Sequence, residues 1–128
     1  PNTRKDYHID EGEEFFYQLE GRMVLRIIEN KKTKDININE GEIFLLPPKV
    51  PHSPQRFENT VGLVIERKRR KGELDAFQWY CDECHTLLYE YFFPLTNIVT
   101  QLPPIFDGFW KDDDARTCKC CSAYLEKP

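Results

Sequence analysis

Two histidines and one carboxylate carry the first sign of chemistry in this chain. His8 is followed six residues later by Glu14, and His52 sits in the string Pro-His-Ser-Pro-Gln-Arg. A set of two imidazoles and one carboxylate holds one face of an octahedral Fe(II) and leaves the opposite face open, and a reaction would take place in that vacancy. The second set of donors is thiols. Cys81-x-x-Cys84 and Cys118-x-Cys120-Cys121 are separated by 33 residues. The odd count and paired spacing suit a metal better than disulfides, and two knuckles of this spacing match a tetrahedral four-thiolate site for zinc or a single iron. The expected ligands are Cys81, Cys84, Cys118 and Cys121, with Cys120 a spare thiol; pairing Cys118 with Cys120 would give a less favoured one-residue spacing. His85 is expected at the surface rather than as a fifth ligand.

Short strands must position these donors. Phe15–Leu19 and Met23–Ile28 flank a turn at Glu20-Gly21-Arg22, and a polar loop follows at Asn30–Lys34. Ile36 and Ile38 alternate with Asn37 and Asn39, the two-residue period of a half-buried strand. Ile43–Leu46 is a buried strand ended by Pro47-Pro48, since proline cannot donate to a sheet ladder. Val61–Glu66 closes the block. Strands this short, turning at regular intervals, indicate an all-β barrel or jelly roll. His8 and Glu14 share parity, but Asp10-Glu11-Gly12 predicts a turn between them, so parity alone does not place them on one face. Arg67-Lys68-Arg69-Arg70-Lys71 reads as a solvated connector. It divides a barrel over residues 1–73 from an aromatic-rich extension over 74–128 that holds every cysteine. Within that extension, Pro103-Pro104 is expected in the first turn of a short helix.

The spacing His8-x5-Glu14-x6-Gly21, then Gly41-x5-Pro47-x4-His52, resembles the two-part signature of the cupin superfamily, small double-stranded β-helix barrels with a metal in the mouth. Only His8 stands where most cupins have a His-x-His pair, which leaves three protein ligands. Lys49 and Arg56 replace the glycine and asparagine of many cupins. Arg4-Lys5-Asp6-Tyr7-His8, Glu13-Glu14-Phe15-Phe16-Tyr17-Gln18, Phe44-Leu45-Leu46-Pro47-Pro48, Val50–Arg56 and Val64-Ile65-Glu66-Arg67 are similar to the 3-hydroxyanthranilate 3,4-dioxygenase family. That resemblance implies His8, Glu14 and His52 as ligands of a catalytic Fe(II), and it agrees with the spacing to Gly21 in choosing Glu14 over Glu13. It implies Arg4, Arg56 and Glu66 as the substrate-binding set, a rubredoxin-like or zinc-ribbon-like unit at the cysteines, and a homodimer. It also implies several dozen residues ahead of Pro1-Asn2, whose absence would remove barrel strands and part of the pocket.

The expected reaction is extradiol cleavage of 3-hydroxyanthranilate by dioxygen to 2-amino-3-carboxymuconate semialdehyde, which closes to quinolinate, a precursor of NAD in the kynurenine route of tryptophan breakdown. Planar, permanently charged guanidiniums of Arg4 and Arg56 suit an aromatic carboxylate. Glu66, at the end of an apolar strand, suits proton movement during ring opening. A second class of function, a non-catalytic cupin or zinc-ribbon binding module, would need no such clamp beside an open metal face. A net charge of −4 gives no electrostatic case for nucleic acid or an anionic membrane as partner. No apolar run approaches the roughly 20 residues of a membrane span. The expectation is a cytoplasmic protein whose partners are a small aromatic acid and O2.

Overall fold

The computed structural model describes residues 2–128; Pro1, the basis of the expected truncation, lies outside them. The elements run β1 (Asp6–Ile9), β2 (Glu14–Glu20), β3 (Met23–Glu29), β4 (Lys32–Ile38), β5 (Ile43–Leu46), β6 (His52–Arg56), β7 (Val61–Glu66), β8 (Asp75–Tyr80), β9 (Leu87–Phe93), α1 (Ile98–Lys111) and α2 (Asp113–Arg116). They build two antiparallel sheets, one in the order β4-β3-β6-β1-β8-β9 and a smaller one in the order β5-β2-β7. The all-β jelly-roll architecture with a small cysteine-bearing end, expected from strand spacing, is the one observed.

The two-residue period decides what faces inward. Glu14, Phe16 and Gln18 of β2 are buried, as are Met23, Leu25 and Ile27 of β3. Phe16 and Leu46 of the small sheet pack on Met23, Leu25, Ile27 and Ile38 of the large one. Farther along the large sheet a different cover takes over: Phe77, Trp79 and Phe93 meet Phe109 of α1 and Leu125 of the tail. Trp79 and Phe109 stack with ring centres 4.3 Å apart. β1 lies between β6 and β8, so it runs along the seam of these two cores.

Several expectations differ from the structure. Ile43–Leu46, expected to be a buried strand, is the edge strand β5 and exposes Ile43 and Leu45, burying only Leu46. The polar loop at Asn30–Lys34 is a two-residue turn, with Asn30 and Lys31 at positive φ, and β4 begins at Lys32. β4 is an edge strand, and charged side chains are what such a strand carries to discourage further pairing. The large sheet continues past residue 73, where β8 pairs with β1 through Asp6↔Trp79 and His8↔Phe77. α1 starts at Ile98 rather than at Pro103, because the Asn97 side chain accepts from the backbone amides of Val99 and Thr100. Pro103 and Pro104 sit inside α1 on its exposed side, where the carbonyls they leave unbonded meet water. No helix among the described residues is long and apolar enough to cross a membrane.

Candidate metal centre

His8 and His52 are direct partners across β1 and β6, with ring centres 5.2 Å apart. Glu14 opens β2 on the facing sheet and places its carboxylate between them. His52 Nε2 lies 3.1 Å from Glu14 Oε2, and His8 Nδ1 lies 3.4 Å from Glu14 Oε1. One donor atom from each residue falls within 4.8 Å of the other two. The remaining ring nitrogens are engaged: His52 Nδ1 donates to the Val50 carbonyl at 2.9 Å, and His8 Nε2 meets Asp75 Oδ2 at 2.6 Å. Such outer contacts fix the tautomer and aim the other nitrogen inward. Phe77 stacks on His8 at 5.2 Å and limits ring rotation.

The donors fit a cation. Glu14 Oε1 is buried with no hydrogen-bond partner among the described residues, its approach to His8 Nδ1 being an ion-pair contact only, and Asp10 Oδ2 is in the same state. Burial opposes ionisation of Glu14, yet the contacts and charges of His52 and His8 pull its pKa down to about 2. Burial likewise opposes the charge on His8, but Asp75 and Glu14 raise it to about 9. Buried negative charge here exceeds the fixed positive charge, and in metal-free protein a proton on His8 offsets it.

That balance predicts a pH dependence for metal-free protein. Glu14, depressed from 4.5, stabilises the fold above that value and ceases to do so as pH falls through 2. His8, raised from 6.5, stabilises fully below that value and ceases to do so as pH rises through 9. The Tm of metal-free protein is therefore expected to fall between pH 6.5 and 9. Thermal melts of the wild type and of His8→Gln check this: the variant should lose most of that slope, and an equal slope in both would show that His8 is not its source.

An acidic cluster borders the triad. Glu66 is the strand partner of Glu14, and one oxygen each from Asp10, Glu14 and Glu66 lie within 4.8 Å of one another. Burial raises the pKa of Glu66; Arg69 opposes the rise, while Glu14 and Asp10 add to it. Arg56 ends β6, and its guanidinium lies over Gly62 of β7. A Cβ at residue 62 would stand 2.5 Å from Arg56 Nη1 and 2.7 Å from Gln18 Oε1, so only glycine leaves room for this reach between sheets. No carboxylate among the described residues pairs with Arg56; burial and the nearby charge of Arg4 lower its pKa, the condition of a cation lacking an anion. Arg4 is engaged by Asp6, the first residue of β1. Arg4 also reaches a concavity of about 780 Å³ on the outer face of the large sheet, away from the triad, lined by Tyr7, Val24, Arg26 and Tyr80.

The four-cysteine site is built by two matching turns. In the first, Cys81 N bonds Thr86 O and His85 N bonds Cys81 O; in the second, Cys118 N bonds Ala123 O and Ser122 N bonds Cys118 O. His85 and Ser122, equivalent in the two turns, both have positive φ. This register gathers the Cys84 and Cys121 thiols with those of Cys81 and Cys118, with Cys121 at the exposed rim, and leaves Cys120 outside the cluster. Cys81 Sγ to Cys121 Sγ is 3.6 Å and Cys84 Sγ to Cys118 Sγ is 3.5 Å. A tetrahedron with metal–sulfur bonds of about 2.3 Å has an edge of about 3.8 Å, whereas a disulfide needs about 2.05 Å. Hydrogen bonding with Thr86 lowers the Cys84 thiol to about 6. Cys121 is held down by the Ala123 amide but pushed up to about 12 by the other thiols, which cannot all ionise together without a cation. His85 is exposed, as expected.

A family profile described as 3-hydroxyanthranilic acid dioxygenase matches residues 1–110. The chain belongs to this family. A Xanthomonas campestris pv. campestris protein named 3-hydroxyanthranilate 3,4-dioxygenase is 57% identical over 121 residues, covering 94% of this chain and 69% of that relative. The Homo sapiens protein of the same name is 56% identical over 119 residues, covering 93% of this chain and 42% of its own length. Among solved structures, a variant of Bacillus subtilis oxalate decarboxylase aligns over 96% of this chain and 30% of its own, at 14% identity and TM-score 0.46.

Within this dioxygenase-family chain, His8, Glu14 and His52 come together and Glu66 joins them, whereas Arg56 lies over Gly62 at the end of β6 and Arg4 turns to Asp6 and the outer concavity. The basic run 67–71 is not only a solvated connector: Arg69 bonds Asp75 at 2.6 and 2.8 Å and Glu66 at 3.3 and 3.4 Å. Arg67 turns instead to Glu73. Sequence reasoning missed Asp75, Asp10 and Arg69. A lone aspartate carries no motif, and an arginine in a charged run reads the same whether it is free or bound.

Proposed function

We propose that this protein is a ferrous-dependent extradiol dioxygenase that opens the ring of 3-hydroxyanthranilate with O2 to give 2-amino-3-carboxymuconate semialdehyde. The observation that carries the reading is the convergence of two imidazoles and one carboxylate, with no fourth protein ligand in their cluster among the described residues, in a member of this dioxygenase family. His8, Glu14 and His52 would hold the ion. Fe(II) bound by three protein donors would supply open positions at which an ortho-aminophenol and dioxygen meet, which removes much of the entropic barrier to their reaction.

The chain's own groups do the rest. Arg56, unpaired and half-buried, accepts the substrate carboxylate by paired charge-assisted bonds. Arg4 adds positive charge near Arg56, and it becomes a second carboxylate partner only if it leaves Asp6 and turns from the outer face of the sheet toward the substrate. Glu66 faces the triad with a raised pKa and takes or returns the proton of the substrate's hydroxyl or amino group. Phe16 and Phe77 wall the imidazoles with apolar surface and exclude water. A homodimer is the assembly that the family resemblance implies.

Anaerobic loading with Fe(II), followed by 3-hydroxyanthranilate and air, should consume one O2 per substrate and produce the near-ultraviolet absorbance of a conjugated semialdehyde. Iron-loaded protein that consumes no oxygen would favour the binding-module class. Arg56→Ala is expected to remove a hydrogen bond to a charged group, about 1.5–3 kcal/mol, lowering kcat/KM roughly 10- to 150-fold, mainly through KM. An unchanged KM would take Arg56 out of the substrate site.

A further inference from the structure

Resting on the reading that His8, Glu14 and His52 hold the metal, we propose that Asp75 and Arg69 are positioning residues of the centre: Asp75 holds the His8 ring at Nε2, and Arg69 holds Asp75 and Glu66 in one fixed arrangement. Asp75 opens β8 two residues before Phe77, the strand partner of His8, so its side chain is brought to the His8 ring by the β1–β8 pairing. It is 1% exposed, and a carboxylate so buried requires charged partners. It has two: His8 Nε2 at 2.6 Å on Oδ2, and the Arg69 fork, with Nε at 2.6 Å on Oδ1 and Nη2 at 2.8 Å on Oδ2.

When Nε2–H is donated to Asp75, the lone pair of His8 lies on Nδ1, the nitrogen beside Glu14. The other edge of the same guanidinium reaches Glu66 at 3.3 and 3.4 Å and Asp10 at 3.5 Å. A rigid fork with five donors can hold Asp75 and Glu66 in fixed relation, with Asp10 in ion-pair range beside them; a lysine, a single point charge, cannot. Ligand aim and carboxylate aim thus share one anchor, which comes from the loop between β7 and β8.

Mn(II) tests this, since imidazole and carboxylate donors take it in preference to thiolates, and its free-ion EPR signal counts what is unbound. Asp75→Asn is expected to weaken Mn(II) binding about 10- to 100-fold, with Arg69→Lys toward the lower end of that range. In iron-loaded enzyme, Arg69→Lys should lower kcat more than it raises KM, because Glu66 has lost its anchor. Wild-type Mn(II) affinity in folded Asp75→Asn overturns the role given to Asp75. Arg69→Lys that lowers Tm but leaves Mn(II) affinity and kcat at wild-type values overturns the role given to Arg69, and that variant keeps the test decisive if Asp75→Asn does not fold. A wild type that binds no Mn(II) overturns the metal reading itself.

Discussion

His52→Ala is expected to bring metal content from two ions per chain to one and to abolish ring opening. His52 is 2% exposed, and its Nδ1 is committed to the Val50 carbonyl, so Nε2 has no role in this cluster except toward Glu14 and an ion. Removing it leaves an ion with one imidazole and one carboxylate. The affinity loss should exceed the roughly 100-fold that losing an outer partner costs. Glu14 is affected too, because after burial the His52 contact is the largest influence on its pKa, and it holds the carboxylate ionised. Metal-free His52→Ala should therefore also melt lower than metal-free wild type at neutral pH, where a depressed carboxylate pKa contributes to stability. Elemental analysis with oxygen uptake checks the first claim, and paired melts check the second. Turnover that survives with iron retained would remove His52 from the ligand set.

The triad was legible because its members lie in strings whose spacing to Gly21 and Pro47 repeats a known pattern, and strand order then brings His8 beside His52 without further information. The outer contacts were not legible. Asp75 is 67 residues from His8 in sequence, and nothing local to it announces that β8 will pair with β1. The same long-range pairing hid the continuity of the large sheet across residue 73, since the composition does change there even though the hydrogen bonding does not. β4 was obscured by its lysines, which mark an edge strand as readily as a loop. The start of α1 was readable in principle from Asn97, a good capping residue, but two prolines outweighed it in a reading based on helix interiors. The choice of Cys121 over Cys120 followed from spacing alone, because each knuckle repeats one backbone turn and that turn admits a single offset.

Cys118→Ser should mainly cost stability, and Cys120→Ser should cost almost nothing. Cys118 is 1% exposed, whereas Cys120 is at the surface and belongs to neither set of turn contacts. The tail beyond α1 has few other anchors: Leu125 in the second core, and Arg116, which donates to the Leu125 and Trp110 carbonyls and stacks over Tyr124 at 4.3 Å. A segment this small depends on its metal for folding free energy, which for structural zinc sites amounts to about 10–16 kcal/mol. Serine leaves three thiolates and a weaker ligand, so a loss of about 3–5 kcal/mol is expected, a Tm lower by about 10–20 °C in a chain of this size. The triad should still take its ion below that temperature, because β8 is held to β1 by four residue pairs and by the Asp75–His8 contact, neither of which passes through the knuckles. Melting curves with and without chelator, alongside turnover at low temperature, separate the two sites. If Cys118→Ser loses turnover while its Tm stays at the wild-type value, the four-cysteine unit serves the reaction directly rather than the fold.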